Sequence, residues 1–527
     1  MDKIHNYLQT LDYIVVLIYL ILLVALGYWV SFVKKKKQDE NLFLAGHSLK
    51  WYSIGLTMWG TNVGPSMLIA SAASGFSVGI AGANFSWFGF LFLMMLAMVF
   101  APFYRTTKVS TLPEFIGKRY SERTRELLAW YSLITILLSW LGITLYTGGL
   151  LVSQILGWPL WISMTGLTTL AAFFAIAGGL EAIAITNIFQ MVLLIVVSLG
   201  LTITGIVQVG GITNVYEAVP AEFWTLFRPN SDVNYPWLPI VLGYPVMAIW
   251  FYCTDQSMVQ SVLAAKNLKQ GQFGVNMIGW LKIIDMPLFI LPGIICFILF
   301  PDLAAPEEAY ATMVTNLMPV GIIGLVMAVL IAALVSTIDS SLNSLSTIFT
   351  LDIFVRRFRP NASQKEIIRI GRIVALIAAV LGVFIALGIS SIQIDDLYIM
   401  LQSILAFLAP PMSVVFLIGI LWKKATPAAA NVVLSLGSAI SIGIGVCSLW
   451  NIPNKEFWPH PLLLSFFVFV GLMALAILVS LATMKNYKGS NLPRLKQIWS
   501  ENESNLSIWF LWGALGILTI ALYIFFN

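Results

Sequence analysis

Long apolar runs alternate with short polar ones along the whole chain, and about fourteen of the runs reach the roughly 20 residues that a helix needs to cross hydrocarbon. They fall near 9–33, 51–80, 82–104, 126–155, 158–178, 181–208, 236–264, 273–300, 318–350, 367–389, 394–421, 427–449, 460–483 and 506–526. The pattern breaks down in three of them. The second carries Gly60, Gly64 and Pro65 inside MWGTNVGPSML, and the seventh carries Gly243 and Pro245 inside LGYPVMAIWFYCTDQ. Proline removes a backbone donor and clashes one turn back, so each segment is expected to unwind there and free carbonyls for a ligand. A packing kink explains either break alone. Two breaks five spans apart point to a secondary transporter built from an inverted repeat.

The ninth span is apolar until residue 335 and then is not. Residues 331–354, IAALVSTIDSSLNSLSTIFTLDIF, hold Ser336, Thr337, Asp339, Ser340, Asn343, Ser344 and Thr347. Ser336, Asp339, Ser340 and Asn343 stand at i, i+3, i+4 and i+7 and share one face. A carboxylate at mid-bilayer costs about 2.5–3.5 kcal/mol on insertion scales, so Asp339 is expected to face protein, water or a cation. The face offers oxygen, which a hard cation such as sodium prefers. The same residues would also serve as a polar helix–helix seam that needs no ion.

Composition agrees with the pattern: 59% of residues are hydrophobic and 10% charged, against about 25% charged in soluble domains. The chain is therefore read as a polytopic membrane protein without room for a large soluble domain. The net charge of +5 matters only once it is sorted by side. With the N-terminus outside, 25 of the 29 basic residues fall in inner loops, from Lys34–Lys37 to Lys496. Only Lys3, Arg228 and Lys455 fall outside, and Lys282 lies within a span, so both termini are expected outside. The basic loops call for no nucleic-acid partner. Residues 105–125 read as an amphipathic segment at the inner surface or as a solvated loop. Residues 209–235, the longest outer loop, are a candidate external lid.

Several chemistries drop out. Cys253, Cys296 and Cys447 are scattered and indicate neither a disulfide framework nor a metal cluster. The chain has no Walker-type phosphate loop, which argues against an ATP-driven pump. His5, His47 and His460 sit at span ends or in loops without a metal or nucleophile motif, so no enzyme is expected. The first span lacks a cleavage site of small residues and is read as retained. The compact loops fit a bacterial plasma membrane.

Five collinear stretches, TLPEF at 111–115, AGGLEAIAITNIFQ at 177–190, FYCTDQSMVQSVLAAKN at 251–267, LVSTIDSSLNSLSTIFTLDI at 334–353 and LQSILAFLAPPMSVVFLIGILWKK at 401–424, resemble the sodium/solute symporter family and its sodium/sugar cotransporter branch. The likeness spans roughly residues 10–425. It implies an all-α polytopic fold with a LeuT-type core of two inverted five-helix repeats and about 14 transmembrane helices. The expected parts are an extra helix within 1–40, repeats at 45–210 and 236–424, and three peripheral helices in 425–527.

The resemblance also implies roles. The main sodium site would take backbone carbonyls of Gly60, Val63 and Ala333 with the hydroxyls of Ser336 and Thr337. A second site in some members uses an aspartate of the sixth span, where this chain has Asn187, while Asp339 occupies a ninth-span place that is usually small or hydroxylated. The carboxylate has changed helices, which makes Asn187, Ser336, Asp339 and Ser340 a candidate second cation site; a coupling proton on Asp339 is the alternative, since burial raises a carboxyl pKa. On the solute side Asn62, Lys282 and Gln402 match polar sugar contacts. Ser66, Met67, Ser86 and Ala248 replace other such contacts, and Phe251 replaces the closing tyrosine. Asp285, three residues after Lys282, offers it an internal ion pair. Trp59, Trp87 and Trp250 are candidate stacking or core aromatics. The expected activity is sodium-driven import of a small polar solute, a sugar or polyol, by alternating access. The runners-up are a carboxylate, vitamin or amino-acid symporter, and a solute sensor on the same fold.

Overall fold

The computed structural model describes residues 8–30, 43–391, 397–487, 489, 492–493, 497–499 and 506–527, except for the side chains of 65–66, 154, 177–178, 397–403 and 486. It is a bundle of helices joined by short loops. Among the described residues extended pairing is confined to two isolated bridges, Leu49 with Ala265 and Arg228 with Pro236.

Twelve helices among the described residues are long and apolar enough to cross a membrane. Two of the fourteen expected segments fall short for physical reasons. The second is cut into Trp51–Asn62 and Pro65–Val78. The fifth is the shorter apolar stretch Leu160–Ile176. It continues into the sixth as one run, Leu160–Val209, bent at Gly179 with φ 58° and ψ −157°. Only glycine tolerates that conformation easily, so the bend is written into the AGG sequence.

The ninth-span helix, Ile322–Ile348, is the axis of the bundle: every residue from Val326 to Ile348 is buried. It packs most extensively on the Leu160–Val209 run and also on the first-span helix, Thr10–Tyr28. A helix surrounded by protein can carry hydroxyls, an amide and a carboxylate that lipid would reject. Asp12 of the first span caps its start, accepting backbone N–H bonds from Gly321 at 2.7 Å and Gly324 at 2.8 Å. Those are orphan donors of a helix N-terminus, and a carboxylate there also meets the positive end of the helix dipole. Asp12→Ala is therefore expected to destabilise the protein by about 1–2 kcal/mol, seen as a lower melting temperature in detergent. An unchanged melting temperature would mean that this tie between the first and ninth spans contributes nothing.

Elsewhere small residues let backbones touch. A side chain at Gly75 would collide with the Ile290 carbonyl, and one at Gly293 with the Ala72 carbonyl, so the second half of the second span crosses the eighth in direct backbone contact.

Two expectations need correction. The seventh-span helix, Trp237–Ala248, runs unbroken through Gly243 and Pro245, and the helix ends instead at Thr254, with Asp255 extended at φ −87° and ψ 129° before Gln256–Leu263 begins. Gly243 serves packing, because a side chain there would strike the backbone of Leu462. Asp255 terminates the helix by capping the next one, accepting from Ser257 N at 2.9 Å and Met258 N at 3.2 Å. The segment 105–125 is neither a surface-lying helix nor a solvated loop. Its helix Leu112–Arg119 packs inward through Leu112, Phe115 and Ile116. Buried Arg119 donates to the carbonyls of Gly419 at 2.5 Å and Trp422 at 2.8 Å, closing the end of the eleventh span. Arg125 pairs with buried Asp352 at 2.6 Å.

Candidate functional site

The second span unwinds where the sequence places the break. The first half-helix ends at Asn62, Val63 takes φ −88° and ψ 73°, Gly64 is extended, and Pro65 opens the second half-helix at its first position. Proline is preorganised for that place and sacrifices no bonded N–H there. The break lies against the polar turn of the ninth span. Thr337 Oγ1 stands 3.5 Å from the Thr61 carbonyl and 3.3 Å from that of Ala333. A β-carbon on Gly60 would sit 3.2 Å from Ser336 Oγ, and one on Gly64 3.3 Å from Thr337 Oγ1. Gly60, Val63, Ala333, Ser336 and Thr337 thus surround one junction between a broken helix and a continuous one.

The polar face of the ninth span divides into two parts. Toward its end the groups are satisfied by protein. Ser344 donates to Gln260 Oε1 at 2.8 Å, Thr347 accepts from Gln260 Nε2 at 2.9 Å, and Ser346 donates to the Gly371 carbonyl at 2.6 Å. That stretch is a seam. One to two turns earlier, Ser336 Oγ, Asp339 Oδ2 and Asn343 Nδ2 are buried and make no hydrogen bond to protein. On the Leu160–Val209 run, which packs on this helix, both side-chain polar atoms of Asn187 and of Gln190 are in the same condition. Met191, one turn beyond Asn187, touches the same Gly60 that Ser336 faces, which brings Asn187 toward this turn. Ser340 joins the group through Thr61, whose hydroxyl donates to Ser340 Oγ at 3.1 Å, while Ser340 Oγ lies 3.4 Å from Asp339 Oδ1. Buried polar atoms nearly always have partners, so these unpartnered groups on two helices that pack together mark a candidate ligand site. Its oxygens, a carboxylate, hydroxyls and amide carbonyls, are hard donors suited to an alkali cation.

A cavity of about 230 Å³ opens beside the break and is lined by Asn62, Gly64, Ser86, Phe251, Lys282 and Thr337 among others. Four of the expected solute residues are therefore together and share the cavity with an expected sodium ligand. The side chains of Ser66 and Gln402, the other two, lie outside the described residues. Lys282 donates to Asn62 Oδ1 and, at 2.9 Å, to Asp285 Oδ2. The ion pair offered by the sequence is thus present, and Lys282 still lines the cavity. Trp59 touches the network by donating to Asp285 Oδ1 at 3.0 Å, whereas Trp87 and Trp250 do not line the cavity.

Sequence reasoning missed the aromatic wall. Trp140, from the π-helical turn Ile136–Ile143, lies against Phe251 with ring centroids 5.4 Å apart, and its Nε1 donates to Asp255 Oδ2 at 3.2 Å. The π-turn Ile249–Thr254 presents Phe251 from the other side. π-turns of this kind recur at functional sites because they re-aim side chains within a helix. Nothing in the local sequence marks Trp140; TDQ at 254–256, with an aspartate at a helix start, was the available signal for the second break. Tyr235, at the end of the 209–235 loop, and Tyr244 also reach the cavity. The rest of that loop packs on the bundle: Arg228 donates to the Val78 carbonyl, and Trp224 stacks on Phe526.

A model of the sodium:solute symporter family matches residues 42–437. The chain is 32% identical to sodium/myo-inositol cotransporter 2 of Bos taurus over 470 residues, covering 82% of this chain and 70% of that protein. It is 33% identical to sodium/glucose cotransporter 4 of Danio rerio, covering 82% and 71%, and 34% identical to a sodium/mannose cotransporter of Bos taurus, covering 82% and 78%. In architecture it is similar to a Na+-coupled sialic acid symporter solved in a substrate-bound outward-open state. The TM-score is 0.78 at 19% identity, over 92% of this chain and all of that one.

Proposed function

The chain belongs to the sodium:solute symporter family, and from that membership we propose that it is a sodium-coupled secondary active symporter that imports a sugar or polyol by alternating access. The observation that carries this reading is the shared cavity: Thr337, at the junction of the broken and continuous helices, lines the same space as Asn62, Ser86, Phe251 and Lys282. An ion bound at that junction ties two elements of different mobility together, so it favours the conformation in which the solute residues converge.

Sodium is carried, not resident. Its main site is assigned to the carbonyls of Gly60, Val63 and Ala333 and the hydroxyls of Ser336 and Thr337. A second cation is assigned to Asn187, Ser336, Asp339 and Ser340, a reading supported by the buried Asn187 amide, Ser336 hydroxyl and Asp339 Oδ2, which have no protein partner. The solute is assigned to Asn62, Ser66, Ser86, Phe251, Lys282 and Gln402. The two inverted repeats are assigned to 45–210 and 236–424, in a plasma membrane with both termini outside, as the charge asymmetry indicates.

Uptake of radiolabelled sugars and cyclic polyols into proteoliposomes, with and without an inward sodium gradient, tests this reading. Sodium-driven accumulation of one solute is expected. Binding without accumulation under any gradient would replace transport by sensing, and accumulation that ignores sodium would remove the coupling ion.

A further inference from the structure

Resting on the symporter reading, we propose that Asp285 is a specificity-determining residue that neutralises the solute cavity, so that the transporter takes uncharged sugars or cyclic polyols and rejects the corresponding sugar acids.

Lys282 would otherwise be the obvious anchor for an anionic solute, because it is the lysine that lines the cavity and lies within a span. Both Lys282 and Asp285 are 1% exposed. Their contacts show where the charge goes. Asp285 Oδ2 accepts from Lys282 Nζ at 2.9 Å and from Ser86 Oγ at 2.8 Å, and Oδ1 accepts from Trp59 Nε1 at 3.0 Å. Three donors from three spans converge on one carboxylate, which has about four acceptor positions. Asp285 therefore has little left to give a solute hydroxyl. Its role is to hold Lys282, Ser86 and Trp59 in place.

The consequence for recognition follows by counting donors. Lys282 has three N–H groups, of which one goes to Asp285 and one to Asn62 Oδ1. One remains for the solute, beside the Asn62 amide N–H groups. Ser86 has spent its proton on Asp285, and Tyr244 has spent its own on the Phe85 carbonyl. This end of the cavity thus offers a few fixed donors and neutral hydroxyl oxygens, with no net charge and no open carboxylate among the described lining. The other walls mix the apolar Met67, Met247, Ala248, Ile143 and Trp140–Phe251 pair with neutral hydroxyls of Ser71, Ser74, Ser139 and Thr144. An anion entering here would have to break a buried ion pair or lie among groups that carry no compensating charge, and either is costly. A neutral ring places an acceptor oxygen on Lys282 and Asn62 and its C–H face on the aromatic pair.

The test uses matched pairs that differ only in charge: glucose with glucuronate, galactose with galacturonate and mannose with mannuronate. Sodium-driven uptake is measured in proteoliposomes with the voltage held at zero by potassium and valinomycin. Wild type should accumulate the neutral member of the transported pair at least about tenfold faster than its uronate. Asp285→Asn leaves Lys282 uncompensated and should shift that ratio by about tenfold or more toward the uronate. Lys282→Met combined with Asp285→Asn removes both charges and should move the ratio back toward the neutral solute, an outcome a merely misfolded single variant cannot produce. A wild type that carries a uronate as well as its parent, or an Asp285→Asn protein that keeps the wild-type ratio while still transporting, overturns the inference and leaves symport standing. Sodium-driven accumulation of none of the six solutes or of myo-inositol by wild type overturns the symport reading, and the inference with it.

Discussion

Thr337→Val should raise the sodium concentration for half-maximal uptake by about 10- to 100-fold, with the protein still folded and inserted. The substitution keeps the side-chain shape and removes one oxygen. A hydrogen-bond or ligand interaction with a charged partner contributes roughly 1.5–3 kcal/mol, and each 1.4 kcal/mol is tenfold in affinity. The site leaves little scope for replacement. Thr337 is buried against the break, its hydroxyl lies 3.5 Å from the Thr61 carbonyl, and Gly64 leaves just enough room for it. Solute affinity measured at saturating sodium should change much less, because the Thr337 hydroxyl is assigned to the cation and not to the solute. The measurement is initial uptake rate against sodium concentration, with Ser341→Ala as the control: Ser341 is equally buried on the same helix, and its hydroxyl donates to the Thr337 carbonyl at 2.7 Å. If Thr337→Val and Ser341→Ala shift the sodium dependence equally, the hydroxyl is part of the helix and not of a cation site.

How much of this was legible beforehand depended on whether the governing interaction was local. The break in the second span was legible because glycine and proline act on their own backbone, and Val63–Gly64 unwinds where GPSML says it must. The polar face of the ninth span was legible because helical periodicity is local too. Its division into a satisfied seam and an unsatisfied turn was not, since Gln260 and Gly371 reach the seam from other spans. Pro245 misled for the same reason: a proline can stay in a helix when neighbours support it, and the helix Trp237–Ala248 packs closely on Pro461–Thr483, more than 200 residues away in sequence, with Gly243 against the Leu462 backbone. The Lys282–Asp285 pair was suggested by i,i+3 spacing, but the convergence of Ser86 and Trp59 on that carboxylate is tertiary. Residues 105–125 carried a misleading cue of a different kind. Their arginines suggested a surface, whereas Arg119 is buried as a cap for carbonyls 300 and more residues further along the chain.

Asp339→Asn should cost the transporter one coupling ion. Asn preserves size and some hydrogen-bonding capacity and removes the charge, so it separates a cation ligand from a seam residue. The geometry favours the ligand. Asp339 is fully buried, Oδ1 meets Ser340 Oγ at 3.4 Å, and Oδ2 has no protein partner, while Asn187 on the helix packed against it is unpaired at both amide atoms. A seam carboxylate would be expected to hold donors, as Asp12, Asp255 and Asp285 all do in this protein. The coupling energy makes the effect large. At zero voltage, a tenfold sodium gradient drives about 100-fold solute accumulation with two ions per cycle and about tenfold with one. The variant should therefore fall from about 100-fold to about tenfold accumulation, with the Hill coefficient for sodium dropping toward one and the main site still working. Asn187→Asp in the same protein would return a carboxylate to the facing helix and is expected to restore the second ion, since the site needs one negative charge and both positions adjoin it. Unchanged accumulation and sodium dependence in Asp339→Asn would mark Asp339 as a seam residue after all. Wild-type uptake driven by an inward proton gradient without sodium, and lost in the variant, would instead make the carried ion a proton.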